Sequence, residues 1–116
     1  MKHDFERFSP LSPAALHILL SLAAEERHGY GIMQDIARQS SGRYKLGPGT
    51  LYDNLQKLMK ERLVEETENS STGAESRRRY YRLSKLGRRV LSTEIARLEQ
   101  AIREAKLHLG FQGSST

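Results

Sequence analysis

The sequence contains no cysteine among its 116 residues, which excludes disulfide bonds and thiolate metal sites. No apolar run approaches the ~18 residues that a membrane-spanning helix needs. Residues 1–9 carry charge and lack the apolar segment of a secretory signal peptide. Since the length fits one domain, these absences predict a single-domain cytoplasmic protein.

Acidic residues are outnumbered by basic ones, 14 against 19, and the net charge is +5. A basic balance favours nucleic acid or another acidic partner. The basic residues are also concentrated, because residues 77–89 contain seven of them and no acid. Only 37% of the residues are apolar, which leaves room for a partner chain to complete the hydrophobic core.

The first half of the chain has the spacing of three short helices. Ser12 and Pro13 fit the start of a first helix, which residues 27–29 are expected to stop. A second helix is predicted over about residues 30–39, and a third begins near Pro48. Two short helices, a tight linker and a third helix with a polar outer face predict a helix-turn-helix. The apolar stripes are Leu16, Leu19, Leu20 and Ala23, then Ile32, Met33, Ile36 and Ala37, then Leu51, Leu55, Leu58 and Met59.

A β-hairpin is predicted after the third helix. Residues 63–68 and 78–83 have strand character, and the polar residues 69–76 between them read as a flexible tip. Glutamates of the first strand can face arginines of the second, contributing up to ~1 kcal/mol per pair. Tyr80 and Tyr81 point to opposite faces, so we expect one of them in the core. A helix beside a basic hairpin is the layout of a winged helix-turn-helix, which makes DNA binding the leading hypothesis.

The third helix is the candidate reader of DNA. A helix fits the major groove, and residues near its N-terminus usually reach base edges. The alternative is a surface helix with ordinary polar decoration, and the hairpin that follows favours DNA. The candidate contacts on this helix are Gly49, Thr50, Tyr52, Asp53 and Gln56.

Basic and hydroxyl side chains around the helix are candidate phosphate contacts. Arg77, Arg78 and Arg79 would neutralise phosphates or enter the minor groove, or else only pair with the glutamates opposite. Strand alternation separates Arg78 from the other two, so we expect one or two of the three to touch DNA. Lys45, just ahead of the third helix, is a further candidate. Tyr30 is another, although it would serve equally as a partly buried packing residue.

The last predicted helix, from Ser84, carries an apolar heptad seam with spacings of 4, 3, 4, 3 and 4 residues. A core of this size has little surface left to cover such a seam, so we expect a two-fold homodimer. The seam consists of Leu91, Ile95, Leu98, Ile102, Ala105 and Leu109.

The predicted fold is mainly α with a small β-hairpin, a winged helix-turn-helix followed by a C-terminal dimerisation helix. Its predicted segments are a flexible arm over residues 1–10, the DNA-binding domain over 11–83, the dimerisation helix over 84–109 and a disordered tail over 110–116.

No enzymatic site is indicated. The four histidines are scattered and pair with no acids at metal-ligand spacing. The glycine pairs at 29 and 31 and at 47 and 49 do not form a phosphate-binding fingerprint. We therefore expect no catalysis, metal or cofactor. The alternative to DNA binding is a winged helix used for protein interaction, with the heptad helix as its docking element.

Four segments together resemble the PadR family of bacterial transcriptional regulators. The resemblance spans about residues 11–109, and its most specific feature is the order of the motifs HGYG, GTLY and YYRLSKLG. The length is similar to that of the compact subfamily, in which one C-terminal helix replaces a longer helical domain. The segments are Leu11–Leu22, His28–Ile32, Gly49–Leu58 and Arg79–Gly87.

The resemblance implies a homodimeric repressor with its two recognition helices in successive major grooves of a near-palindromic operator. It implies DNA contacts by Tyr30, Thr50, Tyr52 and the basic residues of the wing. Some members release DNA when phenolic acids or bulky aromatic drugs bind between the protomers. A drug-binding relative of this size stacks its ligands on tryptophans, and this chain has none. The absence of tryptophan leaves two alternatives: the effector is another small hydrophobic molecule, or the protein has no effector.

Overall fold

The structure is a computed structural model that describes residues 7–67 and 79–110. Arg77, Arg78, the predicted hairpin tip and the tail beyond Gly110 lie outside the described residues. In chain order the elements are α1 (Pro13–Ala24), β1 (Arg27–His28), α2 (Gly29–Gln39), α3 (Pro48–Lys60), β2 (Val64–Thr67), β3 (Tyr80–Leu83) and α4 (Lys85–Leu109).

The strands form a three-stranded antiparallel sheet in the order β1-β3-β2. Tyr81 on the central strand pairs with Arg27 on one side and with Glu66 on the other. The mainly helical fold class and the predicted hairpin are confirmed. Strand β1 is not predicted by the sequence, which indicates only that residues 27–29 stop the first helix. Two residues are too few to show alternation, and their partner strand lies far along the chain.

The core lies between the first three helices, the sheet and the start of α4. The apolar stripes predicted for the second and third helices supply Ile32, Ile36, Leu51, Leu55 and Leu58, and burying each large aliphatic side chain contributes roughly 1.5–3 kcal/mol. The stripe predicted for the first helix is shifted by one residue: α1 buries Ala15, Ile18, Leu19 and Leu22, whereas Leu16, Leu20 and Ala23 are only half-buried. Because α1 is apolar over most of its length, residue spacing does not separate its two sides. Tyr81 is buried and Tyr80 half-buried, as the strand alternation predicts. The most deeply buried apolar residues are Ile18, Leu19, Ile32, Ile36, Leu51, Leu55, Leu63, Val64 and Val90.

Helix α3 ends in a Schellman motif, a hydrogen-bonded turn that directs the chain into β2. Arg62 adopts a left-handed conformation with φ of 67°. Its N–H donates to the Met59 carbonyl at 3.0 Å, and the Leu63 N–H donates to the Leu58 carbonyl at 2.9 Å. These bonds satisfy carbonyls that the helix end would otherwise leave free.

Ser84 joins the start of α4 to the end of α3. Its hydroxyl accepts the Gly87 N–H at 2.8 Å and lies 2.7 and 3.0 Å from the carbonyl oxygens of Arg62 and Leu63. The Ser84 N–H also donates to the Leu63 carbonyl at 3.0 Å. A Cβ atom at Gly87 would overlap that same carbonyl oxygen, so the approach requires glycine. The long helix is therefore fixed directly to the segment that leaves α3.

A buried carboxylate fixes the segment ahead of α1 to α4. Glu94 is only 1% exposed and accepts hydrogen bonds from the Ser9 hydroxyl at 2.9 Å and the Leu11 N–H at 3.1 Å. Arg97 donates two more, at 3.0 and 2.7 Å. The Arg97 hydrogen bonds, with those from the other two groups, lower the pKa of Glu94 to about 2 in spite of its burial.

Residues 7–10 consequently lie against the helical body, whereas the sequence predicts a flexible arm over residues 1–10. Phe8 packs against the core, and Ser9 holds Glu94. The periodicity of the sequence does not reveal the contact between Ser9 and Glu94, because these residues are 85 positions apart. Residues 1–6 lie outside the described part of the chain, so the flexible arm stays a prediction there.

We expect Glu94→Gln to remove part of the acid sensitivity of the fold. The pKa of Glu94 is lower in the folded state than its ordinary value of 4.5. The carboxylate therefore contributes stability, up to roughly 3 kcal/mol, that is complete above about pH 4.5 and lost as the pH falls toward 2. Thermal unfolding at pH 7 and pH 3 should show a larger loss for the wild type than for the variant.

The control for this measurement is Glu99→Gln, at an exposed position of the same helix. This variant should retain the pH dependence of the wild type. An equal loss of stability in the wild type and in Glu94→Gln would contradict the role given to the buried carboxylate.

Candidate nucleic-acid interface

Helix α3 has one side buried in the core and the other side exposed to solvent. Pro48 occupies its first turn after the N-cap residue Gly47, and Leu51, Leu55 and Leu58 face the core. The opposite side is exposed over the whole helix, as expected for a candidate reader of DNA. The exposed residues on it are Gly49, Thr50, Tyr52, Asp53, Gln56, Lys57 and Lys60.

The C-terminal part of this exposed face borders a shallow concavity of about 410 Å³, lined by Asp53, Gln56, Lys57 and Lys60. Their spacing of three and four residues places them on one stripe of the helix. Two lysines beside one aspartate give the stripe a positive balance. The DNA contacts predicted from the sequence do not include Lys57 and Lys60. Their spacing of four residues from Asp53 and Gln56 is the feature of the sequence that indicates them.

A second concavity, of about 360 Å³, brings together residues from α2, α3 and the wing. Tyr30 is 60% and Tyr52 45% exposed, so both rings reach the surface. The exposure of Tyr30 favours its interpretation as a contact residue over that as a packing residue. Three predicted contact residues therefore surround one depression. It is lined by His28, Gly29, Tyr30, Tyr52, Arg79 and Tyr81.

The start of α2, where Tyr30 lies, is held by His28. The Nδ1 atom of this N-cap residue accepts the Gly31 N–H at 3.1 Å. The same ring meets Tyr80 of the wing edge-on, with ring centroids 5.3 Å apart. Tyr30 is thus carried by a helix end that is capped and packed against the sheet.

Tyr81 forms the floor of the second concavity. Burial raises the pKa of its phenol, and the neighbouring Tyr52 and Glu66 raise it further. The group therefore remains neutral at physiological pH, and its buried ring lines the same concavity as the exposed Tyr52 and Arg79.

Arg79 and Arg82 extend from the wing and pair with glutamates of β2, as the sequence predicts. Arg79 lies 3.4 Å from Glu66 and remains 74% exposed, and Arg82 lies 3.0 Å from Glu65 and remains 53% exposed. Exposed ion pairs of this kind contribute only about 0–1 kcal/mol. Both guanidinium groups are therefore able to exchange their partners for another anion.

The remaining predicted basic contacts differ in their placement. Lys45 is exposed in the segment that leads into α3. Arg77 and Arg78 lie outside the described residues, so their assignment stays a prediction.

Within residues 7–67 and 79–110, no cluster of three or more histidine, aspartate and glutamate side chains is placed to hold a metal ion. Over the same residues, every helix falls short of the length and apolarity that a membrane span requires.

The fold is similar to that of solved structures of transcriptional regulators. A transcriptional regulator from Clostridium thermocellum superposes with a TM-score of 0.68 at 21% identity, covering 91% of this chain and 94% of that one. Bacillus subtilis PadR in complex with operator DNA gives a TM-score of 0.64 at 21% identity, covering 74% of this chain and 48% of that one. Likeness at this level of identity supports the winged-helix fold.

Sequence comparison is more specific. The profile of the transcriptional regulator PadR-like family matches residues 18–93. A transcriptional regulator of Mycobacterium tuberculosis is 35% identical over 89 residues, which cover 77% of this chain and 78% of that protein. The family is one of transcriptional regulators and not of enzymes. The chain therefore belongs to the PadR-like family of transcriptional regulators.

Proposed function

We propose that the protein binds DNA sequence-specifically and acts as a homodimeric repressor. The observation that carries this proposal is the exposed polar face of α3, flanked at one end by Tyr30, Tyr52 and Arg79. Such a helix can enter the major groove while the flanking groups hold the backbone phosphates. The structural likeness to a PadR protein in complex with operator DNA supports this arrangement.

Base reading is assigned to the exposed side of α3. Thr50 lies in its first turn, where it can contact a thymine methyl group or donate a hydrogen bond. Asp53 can accept from the amino group of cytosine, and Gln56 can bond both polar atoms of adenine. Gly49 has no neighbouring atom within 4 Å of its missing side chain, so the helix backbone there is open to close approach by DNA.

Phosphate contacts are assigned to groups on three sides of that helix. Arg79 lies on the wing, Tyr30 at the start of α2 and Lys45 ahead of α3, and all three are exposed. Tyr52 stands between the wing and α2. Arg77 and Arg78 complete the proposed set from the sequence. Each cationic contact with a phosphate releases a counterion, which makes the affinity depend on salt.

Dimerisation is assigned to α4, with residues 11–83 as the DNA-binding unit. The heptad seam starts in the core, where Leu91 is 6% exposed. It then emerges, because Ile95 and Leu98 are half-buried, Ile102 is 53% exposed, and Ala105 and Leu109 are also exposed. A sustained apolar stripe needs cover, and a two-fold partner supplies it by symmetry.

Relief of repression by a small hydrophobic effector completes the proposal. An effector that binds preferentially to a dimer with displaced recognition helices lowers the occupancy of the operator. Apolar positions between two α4 helices would form the site for such a ligand. The joint at Ser84 supports this route, because it connects α4 directly to the end of α3.

The proposal is tested by selecting preferred duplexes from a random pool and comparing them with scrambled duplexes of equal length. Binding is measured between about 50 and about 200 mM salt. We expect tighter binding to the selected duplex that persists near physiological salt. An absence of enrichment, with equal and steeply salt-sensitive binding to both duplexes, would refute a specific regulator and favour a protein-interaction module.

Thr50→Ala and Gln56→Ala should each change sequence preference. Removing a base contact costs about 1–3 kcal/mol for the preferred base and leaves other positions of the site unchanged. Repeating the selection with each variant identifies the affected base pair. Wild-type preferences in both variants would show that α3 does not read bases through these side chains.

Arg79→Ala should weaken binding to selected and scrambled duplexes by a similar factor. One lost phosphate contact lowers the slope of log affinity against log salt by about 1. Arg103→Ala makes the same charge change at an exposed position of α4 and is the control. If the two variants behave alike, the effect comes from net charge and the contact assigned to Arg79 is wrong.

Ile102→Glu should convert the dimer to a monomer. A carboxylate at this 53% exposed seam position would be buried without a partner in the proposed interface. Light scattering should give twice the mass of the chain for the wild type and the mass of one chain for the variant. Leu107→Glu is the control, since Leu107 is 74% exposed and lies off the seam. A monomeric wild type would refute the dimer.

A further inference from the structure

We infer that Gly29 is a positioning residue for the DNA-reading surface, because the absence of a side chain there determines where the Tyr52 ring lies. Gly29 is the buried first residue of α2. A Cβ atom at this position would overlap the Tyr52 hydroxyl oxygen and lie 2.7 Å from Cζ and 3.2 Å from Cε1 of the same ring. These are its three nearest neighbours, so the ring occupies the space that a side chain would need.

Backbone conformation does not explain the glycine. Among the described glycines, a positive φ occurs at Gly42 and Gly110 and not at Gly29. Helix α2 is capped by His28, and alanine is a better helix former than glycine. The requirement at position 29 is therefore for space, and the residue that uses the space is Tyr52.

The consequence of this packing is a surface aromatic residue with a fixed position. Tyr52 is 45% exposed, yet its hydroxyl end rests against the start of α2. It is held in this way within the concavity that also contains Tyr30 and Arg79. A side chain that is ordered before binding loses less conformational freedom on contact with DNA. This step depends on the proposed function, in which Tyr52 contacts DNA.

Gly29→Ala tests the inference directly. The methyl group would overlap the far end of the Tyr52 side chain, so either the ring rotates away from its position or α2 and α3 separate. We expect the melting temperature to fall by about 5 °C, and the affinity for the selected duplex to fall about tenfold.

Gly31→Ala is a matched control in the same turn of α2. A Cβ atom at Gly31 would lie 3.5 Å from Cε1 of His28 and 3.7 Å from Cβ of Arg27, which are ordinary contact distances. The variant should retain the melting temperature and the DNA affinity of the wild type. A loss equal to that of Gly29→Ala would overturn the inference, because it would show a general intolerance of alanine at the start of this helix.

A double-mutant cycle with Tyr52→Ala separates positioning from a requirement for glycine itself. Tyr52→Ala removes the three atoms that would lie nearest to a Cβ at position 29. Adding Gly29→Ala to it should then leave the melting temperature unchanged or slightly higher. The DNA affinity of the double variant should stay within about twofold of that of Tyr52→Ala, measured at low salt to keep weak binding detectable.

The outcomes separate the inference from the proposed function. Equal losses from Gly29→Ala with and without the Tyr52 ring would overturn the inference. Wild-type DNA affinity in Tyr52→Ala would also overturn it, since the ring would then serve packing only. The melting temperatures require no DNA, so they decide whether Gly29 positions Tyr52 even if the wild type selects no duplex. A wild-type protein that selects no duplex would refute the proposed function.

Discussion

The close approach of α4 to the backbone at Leu63 is the constraint that connects the two working parts of this protein. One carbonyl oxygen accepts the Ser84 N–H, lies within hydrogen-bonding distance of the Ser84 hydroxyl, and leaves room for no side chain at Gly87. The Ser84 N–H and the Leu63 carbonyl are main-chain groups, so side-chain rotation cannot break the hydrogen bond between them. The direction of α4 is therefore fixed relative to the turn that ends α3, and α3 carries the proposed base-reading residues.

The joint gives the proposed dimer a mechanical basis. If two α4 helices pair along their seam, the distance between the two α3 helices is determined by the angle at Ser84. Glu94 adds a second connection, because it holds Ser9 and the N–H of Leu11 against α4 just before α1 begins. Under the proposed function, a rotation of α4 would be transmitted to both ends of the helical domain, so an effector bound at α4 would change operator affinity without contacting DNA.

Sequence alone predicts those parts of the fold that depend on local periodicity. The stripes of the second and third helices, the wing, the cap at Ser12 and the exposed side of α3 follow from residue spacing, whereas the stripe of the first helix is misplaced by one residue. Contacts between distant segments are not visible in this way. From the sequence, Glu94 has the pattern of a surface residue, but in the structure it is buried and bonded by Ser9. Gly29 has the sequence pattern of a helix stop, but in the structure it makes room for the Tyr52 ring. The exposure of the predicted contact residues on α3 could therefore be predicted, whereas the packing that positions them could not.

The charges of the wing suit a regulator that must discriminate among DNA sequences. Without DNA, Arg79 and Arg82 are partly neutralised by Glu66 and Glu65. Because these pairs are exposed and contribute only about 0–1 kcal/mol, a phosphate can replace the glutamate at little cost. The glutamates nevertheless remain nearby and reduce the attraction of the wing for any duplex. If the protein binds DNA as proposed, the glutamates restrain sequence-independent affinity and leave a larger share of the binding free energy to base contacts of α3.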